Sequence, residues 1–163
     1  MLSDQEIAEL PFRSCVGVML TDGAGRLFAG ARVHGAVGAW QAPQGGIDDD
    51  EKPEAAALRE LAEETGVEPQ HVTVLAHTAE WHRYDLPRDV IPNRWGGRFR
   101  GQKQLWYLIR LDAAADVINV NVDHPEFSDW RWMTPEDMLA AIVPFKRPVY
   151  KDVLDEFAPL LTV

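Results

Sequence analysis

Three glutamates, Glu60, Glu63 and Glu64, sit in a run of strong helix formers, PEAAALRELAEET at 53–65, and no other stretch restricts the chain as much. Pro53 suits a first helical turn, where its missing N–H is no loss, and Gly66 stands where a left-handed glycine ends a helix. On a helical wheel with Glu60 at zero, Glu63 falls near 300°, Glu64 near 40° and Ala56 near 320°, while Leu58, Leu61, Ala62 and Thr65 fall between about 100° and 200°. One face is therefore apolar and meets a core, and the opposite face carries three carboxylates. Like charges at this spacing repel by roughly 0.2–0.5 kcal/mol per pair, and acids in the last turn oppose the helix dipole. Both costs are small enough for a merely solvated acidic face. A divalent cation would reverse them, because Mg2+ takes hard oxygen ligands, commonly one or two carboxylates together with substrate phosphates and water.

Around this helix, residues 14–21 (SCVGVMLT) read as a buried strand, TDGAGR as a turn and RLFAGARV as the hairpin partner. Residues 34–50 are rich in Gly and Pro and read as loop with at most a short strand. VTVLAHTAEW, KQLWYLIRL and FSDWRWM read as strands, DVINVNV (116–122) as a further one, and 85–102 as an irregular basic loop. Thr134-Pro135-Glu136-Asp137 is a helix start with a Thr N-cap, and a last helix covers roughly 146–161 with Pro148 in its first turn. Trp106, Trp130 and Trp132 read as core. Strands and about three helices alternate irregularly, which predicts an α/β chain with a mixed sheet between helices. One domain over 1–163 is expected, without repeats or linkers.

Composition narrows the chemistry. A single cysteine, Cys15, excludes a disulfide-built scaffold. The five histidines, His34, His71, His77, His82 and His124, have no zinc-ligand spacing, so surface or packing roles are expected of them. No apolar run approaches the ~20 residues of a membrane span, and the acidic MLSDQEIAELPF start is unlike a secretory signal, so a cytoplasmic protein without a membrane partner is expected. The net charge of −10 is unlike a duplex-coating protein. Residues 83–110 nevertheless hold seven basic groups against two acids: Arg83, Arg88, Arg94, Arg98, Arg100, Lys103 and Arg110. This island is either a solvated loop or a landing place for an anionic substrate.

Gly45, Glu51 and the run Arg59-Glu60-Leu61-Ala62-Glu63-Glu64-Thr65-Gly66-Val67 match every fixed position of the Nudix box, G-x5-E-x7-R-E-U-x-E-E-x-G-U with U aliphatic. Chance agreement is roughly one in a billion per start point at average residue frequencies. WQAPQGG (40–46), WHRYDLP (81–87), GQKQLWYL (101–108), PEFSDWRW (125–132) and PFKRPVY (144–150) resemble one branch of the Nudix hydrolases, the bacterial RNA 5′-pyrophosphohydrolases and the related diadenosine polyphosphate hydrolases. The likeness runs from about Phe12 to Phe157, and the loop 88–100 has no counterpart in it.

The resemblance implies a Nudix-type α/β/α sandwich with a mixed sheet, and metal-dependent hydrolysis of the 5′-terminal polyphosphate of RNA to a 5′-monophosphate. Asymmetric cleavage of diadenosine tetraphosphate to ATP and AMP, hydrolysis of a nucleotide sugar, and a non-catalytic sensor on the same fold are the alternatives. It further implies that Glu60, Glu63, Glu64, Glu126 and the Gly45 carbonyl hold Mg2+, for which Mn2+ could substitute. Arg59 and Glu51 would form the box's internal ion pair, and Glu63 or Glu126 would be the general base. Arg13 and Lys146 would meet phosphates, Arg32 and Phe145 would sandwich a nucleobase, and Tyr84 and Lys103 would line the site. Asp48, Asp49 and Asp50 are expected to favour the helix N-terminus electrostatically.

Overall fold

Strand β1 (Phe12–Thr21), buried on both faces along its last seven residues, organises the structure, a computed structural model that describes residues 2–33 and 39–161. Val16, Val18 and Leu20 enter one apolar cluster and Met19 enters another on the opposite face, as alternating side chains of a strand must. Strand β7 (Gly101–Leu111) lies parallel to β1 in unbroken register from Phe12↔Gly101 to Thr21↔Arg110. It repeats the alternation, with Tyr107 and Ile109 in the first cluster and Trp106 and Leu108 in the second. A parallel pair needs a long crossover, and the intervening elements supply it.

The other described strands join antiparallel: β2 (Leu27–Arg32), β3 (Trp40–Gln41), β4 (Gln44–Gly46), β5 (Val72–His77), β6 (His82–Asp85) and β8 (Phe127–Met133). The sheet runs β3-β2-β1-β7-β5, with β4 on β1, β6 on β7 and β8 on β2. Helix α2 (Pro53–Thr65) covers one face through Ala56, Ala57 and Leu61. Helices α3 (Pro135–Ala141) and α4 (Arg147–Leu161) cover the other, where Tyr150, Val153 and Phe157 meet Trp106. This is the expected α/β/α sandwich with a mixed sheet. Helix α2 has the expected ends, and Gly66 closes it at φ 73°, donating its N–H to the Ala62 carbonyl. No helix among the described residues is long and apolar enough to cross a membrane.

Four readings change. A short helix α1 (Asp4–Ala8) starts at Ser3, whose side chain accepts from the Glu6 N–H while the Glu6 carboxylate accepts from the Ser3 N–H. Residues 34–50 contain two short strands rather than one at most. Residues 116–122 form no strand: Ala115–Val117 is a 3-10 turn, and Asn119 donates its N–H to the Thr65 carbonyl at 2.7 Å. Their apolar side chains pack beneath the end of α2 instead of pairing. On α2 itself the buried residues are Ala56, Ala57, Leu61, Glu64 and Thr65. The buried face is therefore centred near Glu64, because β4 covers the side that the helical wheel left to solvent. His34 lies outside the described residues.

Candidate active site

Two consecutive glycines on β4 bring opposite charges to the same strand. A Cβ on Gly45 would collide with the Glu60 carboxylate, and one on Gly46 with the Arg13 guanidinium. Only bare backbone lets both side chains lie this close. Antiparallel pairing of Gly45 with Val16 holds β4 to β1. The Gln44 N–H donates to Glu64 Oε2 at 3.1 Å, tying the strand to the last turn of α2.

Arg59 fixes the loop to the helix. Nε donates to Glu51 Oε2 at 2.8 Å and Nη2 to Glu51 Oε1 and the Gly46 carbonyl, both at 2.9 Å. Nη1 donates to Glu60 Oε1 at 2.9 Å and Glu63 Oε2 at 3.1 Å. All five guanidinium N–H groups are thereby engaged. Glu51 also accepts from the Asp48 N–H, and these hydrogen bonds, Arg59 first, hold its carboxyl down to about 2. The expected Arg59–Glu51 pair is present, and Asp48 lies 3.6 Å from Arg59 Nε.

The remaining carboxylates are under electrostatic pressure. Burial, with the charges of Glu60 and Glu126 adding to it, pushes Glu64 well above the carboxylate range, and its residue is only 6% exposed. Burial also raises Glu60, against the pull of Arg59. Glu63 is exposed, and Glu126 is exposed just before β8, its carbonyl accepting from the Val33 N–H. Glu60, Glu64 and Glu126 line two cavities of about 630 and 440 Å3, and Glu63 lines the first. Among the described residues no three His, Cys, Asp or Glu side chains are placed to hold a metal ion together. Buried, mutually repelling carboxylate oxygens facing open cavities are still the donor chemistry of a hard divalent cation that takes few protein ligands.

The second cavity has a cationic side that includes Arg13 and Arg32. Arg13 Nη1 donates to Cys15 Sγ at 3.3 Å, and its guanidinium lies 5.0 Å from the Trp95 ring centre. Lys146 is buried behind this side and donates to Gln41 Oε1 at 3.2 Å. Burial, reinforced by Arg32 and Arg94, pushes its ammonium down to about 7. Tyr84 and Phe145 face one another with ring centres 5.6 Å apart, and Lys146 lies 5.8 Å from the Tyr84 ring.

The structure therefore brings Arg13, Arg32, Gly45, Glu60, Glu64 and Glu126 around one space, with Lys146, Tyr84 and Phe145 behind it. Lys103 is not brought in. Gln102, Gln104 and Trp106 are hydrogen-bonded along one face of β7, so Lys103 points from the other face and lies over the Trp81 ring at 5.4 Å. Among the described residues Arg32 makes no ring contact with Phe145, which lies against Tyr84 and the Lys146 ammonium. Trp106 is fully buried, while Trp130 and Trp132 are partly buried against the α2-side cluster.

Sequence reasoning missed Gln41, Gln44, Gln102 and Trp95, which line the second cavity with Arg94, a residue named before only as part of the basic island. Of the basic island only Arg94 reaches it. Arg88, Arg100 and Arg110 are paired with Asp4, Asp85 and Asp112, and Arg83 and Arg98 lie against Phe12 and Phe99. The local signal for Trp95 was its place before two glycines in a loop.

A NUDIX domain model matches residues 11–153. An RNA pyrophosphohydrolase of Roseobacter denitrificans is 54% identical over 96% of this chain and 98% of its own length. One of Dinoroseobacter shibae is 51% identical over 98% of this chain and all of its own. Among solved structures, an Ap4A hydrolase of C. elegans matches with a TM-score of 0.67 and 20% identity, over 90% of this chain and 97% of its own. The E. coli dihydroneopterin triphosphate pyrophosphohydrolase matches with a TM-score of 0.70 and 15% identity, over 89% and 99%. At such identities these two speak for the fold alone.

Proposed function

This chain belongs to the NUDIX family, and on that footing we propose that it removes pyrophosphate from the triphosphorylated 5′ end of RNA, leaving a 5′-monophosphate. The observation that carries the reading is the end-to-end likeness, at about half identity, to RNA pyrophosphohydrolases. Nudix hydrolases generally need divalent cations, and Mg2+ is the cation in this reading, which Glu60, Glu64 and the Gly45 carbonyl would hold. When bound, such an ion neutralises phosphate charge and lowers the pKa of water.

The residues then divide the work. A water oxygen bonds to phosphorus, the phosphoanhydride bond breaks, and pyrophosphate leaves with its electron pair. The proton released by the water goes to a carboxylate within hydrogen-bond reach. Glu126 suits that role better than Glu63, since Glu63 shares an oxygen with Arg59 while Glu126 pairs with no cation among the described residues. Arg13 and Arg32 balance the leaving charge. Arg59 orients Glu60 and the Gly46 carbonyl from behind.

Side-by-side kinetics on triphosphorylated RNA and diadenosine tetraphosphate with Mg2+ test the reading. The RNA is expected to give the higher kcat/KM, with pyrophosphate released. A wide preference for the dinucleotide overturns the substrate, and turnover unchanged in Glu60→Gln overturns the site.

A further inference from the structure

We propose that Arg94 and Trp95, on the connection between β6 and β7, complete a polyphosphate-binding wall: Arg94 contacts a substrate phosphate, and Trp95 is the positioning residue that gathers Arg94 and Arg13. The identity of the substrate rests on the function proposed above.

In a chain with 26 acidic and 16 basic residues, carboxylates outnumber the cations that could pair with them. Arg26, Arg59, Arg88, Arg100 and Arg110 each pair with a carboxylate. Arg13, Arg32 and Arg94 line one cavity and form no ion pair among the described residues. With no carboxylate at ion-pair distance, these three guanidiniums leave one side of the cavity positive, and a polyanion is the partner that would complement it.

An aromatic ring holds two of these guanidiniums. Those of Arg13 and Arg94 lie 5.0 and 5.9 Å from the Trp95 ring centre. A carboxylate partner would occupy N–H donors and cancel charge, whereas an aromatic face orients a guanidinium and leaves its edge donors for phosphate oxygens.

Trp95 (φ 47°), Gly96 (φ 67°) and Gly97 (φ 73°) are successively left-handed. For a bulky side chain that conformation costs on the order of 1–3 kcal/mol and persists only where the surroundings enforce it. Here the Gly97 N–H donates to the Arg94 carbonyl at 2.9 Å. The ends are tied down by Arg88 to Asp4 and by Arg100 to Asp85 and the Ala8 carbonyl. The strained turn presents Trp95 to the cavity. Across from it stand Glu60, Glu64 and Glu126, so the cavity is polarised and a polyphosphate would lie in one direction, its far phosphates at Arg94.

The test is calorimetric binding of the bis(methylene) analogue of tripolyphosphate, at fixed Mg2+ and several salt concentrations, beside kinetics on triphosphorylated RNA. Arg94→Ala is expected to weaken binding about tenfold and flatten the log–log salt dependence by about one, and to raise KM about tenfold with kcat within twofold. Arg94→Lys falls between. Trp95→Ala weakens binding several-fold, Trp95→Phe restores most of it, and Trp95→Leu, which fills space without an aromatic face, does not. Wild-type affinity and salt dependence in Arg94→Ala overturn the wall. The Arg94 side chain makes no hydrogen bond among the described residues, so that variant should keep its fold, and an unchanged thermal transition checks this. If Arg94→Ala loses analogue binding while the wild type leaves triphosphorylated RNA uncleaved, the wall stands and the proposed substrate falls. If RNA is cleaved and Arg94→Ala matches the wild type in both assays, only the wall falls.

Discussion

On one side of the second cavity, Glu60 shares with Glu51 and Glu63 a single arginine whose N–H groups are all engaged within the chain. On the other, Arg13, Arg32 and Arg94 meet no carboxylate among the described residues. The carboxylate side is carried largely by one helix and held by one hub, so its geometry is set before anything binds. The cationic side is assembled from β1, β2 and a long connection, with its charge left for an incoming group. The first arrangement suits reaction, which needs fixed oxygens, and the second suits recognition, which can vary without disturbing them.

The sharpest way to break this division is Glu64→Gln. Activity should fall about a thousandfold, which is about 4 kcal/mol of barrier. The metal-free protein should become more stable near neutral pH. The folded carboxyl holds its proton to higher pH than the unfolded one, so the wild type loses stability as pH rises from the unfolded pKa through the folded one. Gln retains an acceptor for the Gln44 N–H and removes that loss. Denaturant unfolding in chelator should show the two proteins converging near pH 4 and the variant ahead at pH 7.5. A variant less stable at pH 7.5 would mean that Glu64 is there to hold the fold.

Arg59→Ala attacks the hub from behind. Residues that orient ligands without touching substrate typically cost 10–100-fold when removed, and a loss of that order in kcat is expected with KM little changed. The Glu51 carboxyl, held at about 2 chiefly by Arg59, should return toward its ordinary range, which carboxyl NMR titration reads directly. A raised KM at constant kcat would move Arg59 to the recognition side.

The same division explains what could be read in advance. Glu60, Glu63, Glu64 and Gly66 follow one another at helical spacing, so local chemistry was enough to find them and the helix that carries them, whereas Glu51 and Arg59 came from the likeness to the Nudix box. Even there the helical wheel put Glu64 on a solvated face, because β4, which buries it, approaches from outside the local pattern. Lys103 fails for a different reason: neighbouring strand residues face opposite ways, and Gln102 takes the cavity side. DVINVNV alternates as a strand does, yet its backbone is taken up by Thr65 and by Asn119. Arg94 and Trp95 lie in a connection without periodicity, and their place follows only from the β6–β7 pairing and the anchors at Arg88 and Arg100.

Lys146 offers the gentlest probe of the cationic side, because its burial is a cost that pH can remove. Its ammonium is pushed from 10.5 down to about 7. Between those values the unfolded chain holds a proton there that the folded chain has released, so the folded state gains stability as pH rises. The penalty is complete below about pH 7 and gone above about 10.5. Against Lys146→Met, which does not titrate, the wild type should therefore gain stability steadily from pH 7 to 10.5 in paired denaturant titrations. Comparing slopes rather than absolute values sets aside the Gln41 acceptor left without its donor. A bound polyphosphate should stabilise the ammonium and move the onset of that gain to higher pH. Parallel slopes in wild type and variant would mean that the ammonium stays charged in the folded protein, and that Arg32 and Arg94 do not crowd it as the geometry requires.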